Sequence, residues 1–281
     1  MPEPSNTLDP ILCAPLLRKV DAELIHLLRS LTPEEWDLQT VAPQWTVREV
    51  AAHLLDTPLR KLSMVRDRTF VEQVEIHSQD DVIALVNRLN REGVTVYRRL
   101  SPQILVEMMT VACNQSADFH ESLDPFAQAA FSVSWAGDKS SLNWFDTARE
   151  LTERWHHQQQ IRLATNRPVL MTQELYHPVL DCFLRGLPHH FRSVDAPVGT
   201  AIQVEISGDC GGQWFLLKGP AAWTLVRKPF GEIASRVTIP QALAWRLFTK
   251  GIDRESARAQ VIVEGNPHLG EFILHLTAIV G

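Results

Sequence analysis

Glu150-Leu151-Thr152-Glu153-Arg154-Trp155-His156-His157-Gln158-Gln159-Gln160-Ile161-Arg162 is the stretch on which the reading of this 281-residue chain turns. It lies in a helical run from about Asn143 to Thr165 that Asn166-Arg167-Pro168 ends. Advancing about 100° per residue, Trp144, Ala148, Leu151 and Trp155 form an apolar stripe. Asp146, Glu150, Glu153, His157 and Gln160 lie opposite and read as a solvated face. On that face Glu153 and His157 are i and i+4, stacked one turn apart, where a carboxylate and an imidazole can share a metal ion. His156 and His157 stand about 100° apart, so only one of them can share the face of Glu153. Such pairs are also common on exposed helices, and spacing alone favours a plain surface.

Working back along the chain, Trp45-Thr46-Val47-Arg48-Glu49-Val50-Ala51-Ala52-His53-Leu54 opens another helix, with Thr46 and Glu49 as a capping box. Its apolar stripe is Val47, Ala51, Leu54, Leu55 and Leu62, and His53 stands away from that stripe. His53 is the candidate third ligand. Three protein ligands with a vacant position suit a catalytic rather than a structural metal site, because substrate or water must reach the ion.

Together, this run and Glu153-x-x-x-His157-x-x-Gln160-Ile161-Arg162-x-Ala164 resemble the metal-binding domain of the mycothiol-dependent maleylpyruvate isomerases, within the wider DinB-like group of four-helix bundles. The family's metal ligands carry over to His53, Glu153 and His157. The stretches Ala221-Ala222-Trp223-Thr224-Leu225, Ala244-Trp245-Arg246-Leu247-Phe248 and Val263-Glu264-Gly265-Asn266 are similar to the small domain that follows the bundle in that family. The resemblance implies an α+β two-domain chain. Residues 1–168 would form a DinB-like metal-binding four-helix bundle, and residues 169–281 a sterol-carrier-protein-like antiparallel sheet domain with helices. Family members usually carry Asp where this chain has Gln160. An amide accepts a hydrogen bond from a ligand imidazole as a carboxylate does, but adds no charge, so metal binding survives the change better than any one reaction does.

Helical periodicity continues through the N-terminal part. Leu12, Leu16, Val20, Leu24, Leu27, Leu28 and Leu31 recur at helical spacing, Thr32-Pro33-Glu34 marks a fresh helix start, and helices are expected over residues 80–100 and from Ser101-Pro102 toward Leu123. In the 80–100 helix, Val82, Leu85, Val86, Leu89 and Val96 are the apolar positions. Residues 172–191 are again helical. Residues 201–206, 213–217, 222–226 and 233–239 are short β-type runs between Gly and Pro turns, read as an antiparallel sheet covered by helices over 241–248 and 267–280.

Composition excludes several classes. A net charge of −6 with no basic, aromatic-interleaved patch argues against nucleic acid. No apolar run reaches the roughly 20 residues that span a bilayer. Met1-Pro2-Glu3-Pro4-Ser5 lacks the basic and apolar regions of a signal peptide, so a cytoplasmic protein, monomer or homodimer, is expected. Cys13, Cys113, Cys182 and Cys210 form no Cys-x-x-Cys and read as reduced packing residues, with Cys210 the most exposed. Glu153-x-x-His156 and Glu174-x-x-His177 have the spacing of di-iron proteins, but Pro178 follows the second and no further carboxylates are placed to match. The pair His189-His190 reads as surface, and His120 carries no signal.

What the resemblance implies is a metal-dependent, low-molecular-weight-thiol-dependent isomerase or transferase acting on a small anionic or electrophilic substrate. The metal would be divalent, zinc first and nickel second, and the thiol mycothiol or another of its kind. Arg246 and Lys250 are candidate cations for an anionic substrate, against a solvated helix face as the ordinary reading. One alternative is a metal-dependent hydrolase with Glu150 as general base. The other is a DinB-like stress or binding protein that catalyses nothing.

Overall fold

A computed structural model describes residues 6–69, 75, 77–229 and 231–279. The N-terminal residues read above for a leader lie outside that range, as does Val280, to which the last helix was expected to run. The chain divides into two units, one formed by Leu12–Ser132 with Ser140–Leu170, the other chiefly by Met171–Ile279 with Val133–Lys139.

The first unit is helical: α1 (Ala14–Arg29), α2 (Val47–Lys61), α3 (Gln79–Tyr97), α4 (Pro102–Ser122) and α5 (Asn143–Ala164). α1 packs on α4 and α5, while α2 packs on α3, α4 and α5. The expected starts are capped by side chains: Thr46 and Glu49 form the capping box of α2, Ser78 and Asp81 that of α3, and Ser101 caps α4. Leu24, Leu28, Val50, Leu54, Leu55, Leu105, Met109 and Ile161 fill one continuous core. The fresh start at Pro33 yields only a 3-10 turn, Glu34–Asp37, whose Trp36 is buried. On α3, Val96 is exposed and Val94 is buried. Gly93 sits inside α3 because a Cβ there would overlap the carboxyl of Asp56 from α2, a close approach that offsets the cost of glycine in a helix.

The second unit is α+β, with α6 (Gln173–Leu184), α7 (Leu187–His190), β1 (Ala201–Ser207), β2 (Gly212–Lys218), β3 (Trp223–Val226), β4 (Ile233–Pro240), α8 (Gln241–Phe248), α9 (Arg254–Arg258), β5 (Ile262–Gly265) and α10 (Pro267–Phe272). Its sheet has the order β3-β2-β1-β4-β5. Against the antiparallel expectation the sheet is mixed, because β4 runs parallel to β1. Side-chain alternation is the same for either direction, so only the connection decides, and the β3–β4 connection does not make the hairpin that its Gly and Pro residues suggested. The helix expected over 267–280 is α10 followed by a 3-10 turn, Ile273–His275. Cys210 is buried, not exposed, with its N–H donating to the Gln241 side chain at 2.8 Å, and no disulfide joins the four buried cysteines. His190 is half-buried and donates to the Phe272 carbonyl at 2.8 Å, so it is not a plain surface residue. Among the described residues no helix is long and apolar enough to cross a membrane.

Candidate metal centre of the helical unit

α5 departs most from its sequence reading. Asp146, Glu150, His157 and Gln160, read as a solvated face, are buried. A helix polar on one side can be buried only if its polar groups find partners. Here Lys61 of α2 pairs with Asp146 at 2.8 Å and with Glu150 at 3.3 Å. Arg149 pairs with Asp146 at 2.9 Å. Arg154 pairs with Glu150 at 3.6 Å, with Asp21 of α1, and donates to Ser116 of α4 at 2.7 Å. His120 of α4, buried, shares a 3.0 Å hydrogen bond with Thr147. Near the other end Gln158 donates to the Val20 carbonyl at 3.0 Å, and Trp155 to the Leu170 carbonyl at 2.9 Å. Three cations and three carboxylates thus tie α5 to α1 and α2, with a hydroxyl and an imidazole of α4 joining them.

One turn beyond Glu150, this buried scaffold presents the predicted set. His53 from α2 and Glu153 and His157 from α5 come together with one ligand atom each, all within 4.8 Å of one another, the one such cluster among the described residues. His157 Nε2 stands 3.4 Å from Glu153 Oε2. The rings of His53 and His157 meet edge to face at 4.7 Å, and Trp45 packs on both, at 4.8 and 5.7 Å between ring centres. The histidine ambiguity resolves in the same place: His156 Nδ1 donates to the Thr152 carbonyl at 2.8 Å, while His157 Nδ1 donates to Gln160 Oε1 at 2.9 Å.

Electrostatics prepares the set for a cation. Burial, reinforced by the neighbouring His157, holds His53 well below the usual imidazole range and therefore neutral. Burial alone would raise Glu153, but its contact with His157 at 3.4 Å and the charge of the Arg149 guanidinium outweigh it and bring its pKa down to about 2. A neutral imidazole and an ionised carboxylate are the forms that bind metal. The donor set fits a divalent ion. Two ligands about 2.1 Å from a tetrahedral metal stand about 3.4 Å apart, the spacing His157 and Glu153 already have. The loosest spacing, up to 4.8 Å, closes by side-chain rotation. His53 Nδ1 is enclosed with no hydrogen-bond partner, the orphaned polar atom that a preformed site leaves.

Other candidates fare differently. Glu150 is enclosed by Lys61, Arg149 and Arg154, which hold its pKa well below the usual range against the upward push of burial. Arg246 is half-buried on α8 with Nε donating to the Gly251 carbonyl at 3.3 Å, and Lys250 is exposed just beyond that helix with a left-handed backbone, φ 60°. Both belong to the α+β unit and not to the unit that carries the triad. His177 Nδ1 bonds the Gly211 carbonyl at 3.1 Å, a packing role that leaves the di-iron spacing without meaning. The sequence reading missed Asp21, Lys61, His120 and Arg154. The only local signal was the acid–base spacing along α5, since their partners come from other helices.

A helical unit that brings a half-buried carboxylate beside two buried imidazoles, joined in one chain to a mixed-sheet α+β unit, is the class of two-unit protein that the fold and the side-chain cluster define. Residues 17–162, more than half the chain, match the family model of the mycothiol maleylpyruvate isomerase N-terminal domain, and the chain belongs to that family. A crystal structure of a mutant mycothiol-dependent maleylpyruvate isomerase superposes with a TM-score of 0.51 at 10% identity, covering 83% of this chain and 86% of that one. A second structure of mycothiol-dependent maleylpyruvate isomerase covers the same shares at a TM-score of 0.48. The first likeness extends the shared fold beyond the helical unit. No curated protein matches the chain in sequence.

Proposed function

We propose that this protein is a metal-dependent isomerase of the maleylpyruvate isomerase type that uses a low-molecular-weight thiol, mycothiol first among them. The reading places it on a DinB-like four-helix bundle followed by a sterol-carrier-protein-like domain. The observation that carries it is the cluster of buried His53 and His157 with half-buried Glu153, in binding-ready protonation at His53 and Glu153, within the matched family segment. Those three residues would hold the ion, zinc by its preference for two imidazoles and a carboxylate. Bound there, a divalent metal lowers the pKa of a thiol in its open position so that thiolate persists at neutral pH. The chain's own groups do the rest. Gln160 and Trp45 hold the imidazoles, and the ion-paired scaffold of α5 keeps Glu153 in place.

The hydrolase alternative needs a general base beside the metal, and Glu150, its candidate, is locked among three cations with its side chain 4% exposed. That favours the thiol chemistry. The test is an assay of zinc-loaded protein on a cis electron-poor alkene with mycothiol, bacillithiol, glutathione or no thiol. Isomerisation that requires one of the thiols is expected. Metal-dependent turnover indifferent to every thiol would overturn the proposal.

A further inference from the structure

We propose that Gln160 is a positioning residue that selects the tautomer of His157 and so decides whether this histidine offers a lone pair to the triad. The inference rests on the metal-ligand reading of His53, Glu153 and His157 and goes one layer outward. A neutral imidazole carries one N–H and one lone pair, and only the bare nitrogen can be a ligand. His157 Nε2 faces Glu153 at 3.4 Å, and Nδ1 faces Gln160 Oε1 at 2.9 Å.

Two arrangements compete. In the first, Nδ1–H donates to the amide oxygen and the Nε2 lone pair stays in the site. In the second, the amide is turned over so that its NH2 donates to Nδ1, and Nε2–H donates to Glu153. That second arrangement removes the lone pair and occupies the carboxylate at once. The structure shows the first orientation. His157 and Gln160 are both buried, so water does not readily replace the acceptor. His156, its ring tilted against that of His157 with 4.0 Å between centres, is turned back to the Thr152 carbonyl and cannot serve. Among the described residues Gln160 is the one partner of that nitrogen.

A carboxylate at this position would be acceptor only and would hold the first arrangement unconditionally. An amide presents either end, so in this chain the readiness of the site depends on the orientation of one side chain.

The experiment compares wild type, Gln160→Met, which has similar length and no amide acceptor, and Gln160→Glu, which restores a pure acceptor. Nitrogen-15 NMR of the metal-free proteins at about pH 8, above the ordinary imidazole range, reads the tautomer of His157. Chelator competition reads zinc affinity. The expected result is an Nδ1–H tautomer in wild type and Gln160→Glu and a shifted tautomer in Gln160→Met. Zinc binding should be about 10- to 100-fold weaker in Gln160→Met and restored in Gln160→Glu. An Nε2–H tautomer in the wild type overturns the proposal. So does a Gln160→Met protein, folded by circular dichroism, that keeps both the wild-type tautomer and the wild-type affinity. Should wild type bind no zinc, the metal reading falls while the tautomer measurement still decides the role of Gln160. Should Gln160→Met fail to fold, the tautomers of wild type and Gln160→Glu carry the decision.

Discussion

Two adjacent histidines of α5 have opposite fates because of what their Nδ1 atoms meet. His156 bonds back to its own helix, and burial with the nearby His157 brings its pKa down to about 3, so it is a neutral packing group. His157 spends Nδ1 on Gln160 and turns Nε2 toward Glu153. If the triad is a metal centre, elemental analysis of dialysed protein should give one zinc per chain in wild type and in His156→Gln, and none in His157→Ala or His53→Ala. Full occupancy in His157→Ala would remove the assignment. The sequence showed this much: the i,i+4 spacing of Glu153 and His157 is local geometry, visible in any helix. It did not show which neighbouring histidine faces inward, because that choice depends on the rotation of α5 against α2, fixed by packing.

α5 as an element was misread for a related reason. Periodicity separates apolar from polar positions, and it assigns the polar ones to water unless their partners are known. The partners of Asp146 and Glu150 include Lys61 on α2, 85 and 89 residues away, taking 146 − 61 and 150 − 61. Breaking such a pair strands buried charge, so Lys61→Met should lose about 3–5 kcal/mol of stability in urea titration. A change under about 1 kcal/mol would show the network to be solvated after all. Acid should act on the same network. Burial, with the charge of Lys61, brings His120 down to about 3, whereas in the unfolded chain it titrates near about 6.5. Between those values the unfolded state binds the extra proton, so stability falls as pH falls, by up to about 1.4 kcal/mol per pH unit for this one group. Asp146 and Glu150 are shifted down against burial by Lys61 and Arg149, so their contribution is present above the usual carboxylate range and is lost as pH drops through their lowered values. Thermal unfolding followed from about pH 6.5 to 4.5 isolates the histidine window. His53 and His156, held neutral by burial as well, share that window, so His120→Gln should lessen the slope there without removing it, and an unchanged slope would count against a neutral, buried His120.

At the scale of the molecule, the Asn-Arg-Pro break gave a boundary at residue 168, and the hydrogen bonds after α5 refine it. Arg162 donates to the Pro168 carbonyl at 3.0 Å, Trp155 donates to the Leu170 carbonyl, and the Leu170 N–H donates to Gln159 at 3.0 Å. Residues 166–170 are therefore laced to α5, which agrees with a helical unit ending at Leu170. The excursion Val133–Lys139, which groups with the α+β unit, left no trace in the sequence because a single 3-10 turn, Ser134–Ala136, has no periodicity to read. We propose that residues 12–170 are an independently folding domain. Its core and its ion network are both internal: Leu24, Leu55, Met109 and Ile161 pack together, and Asp21, Lys61, Asp146, Glu150 and Arg154 pair among themselves. All three triad residues lie inside it as well. Expressed alone with residues 133–139 replaced by a Gly/Ser linker, it should keep helical circular dichroism, unfold cooperatively and bind zinc as the whole chain does. A fragment that is unfolded while the full chain is folded would mean that the helical unit draws its stability from the rest of the chain. A fragment that folds but has lost zinc would mean instead that the triad is held in place by residues outside it.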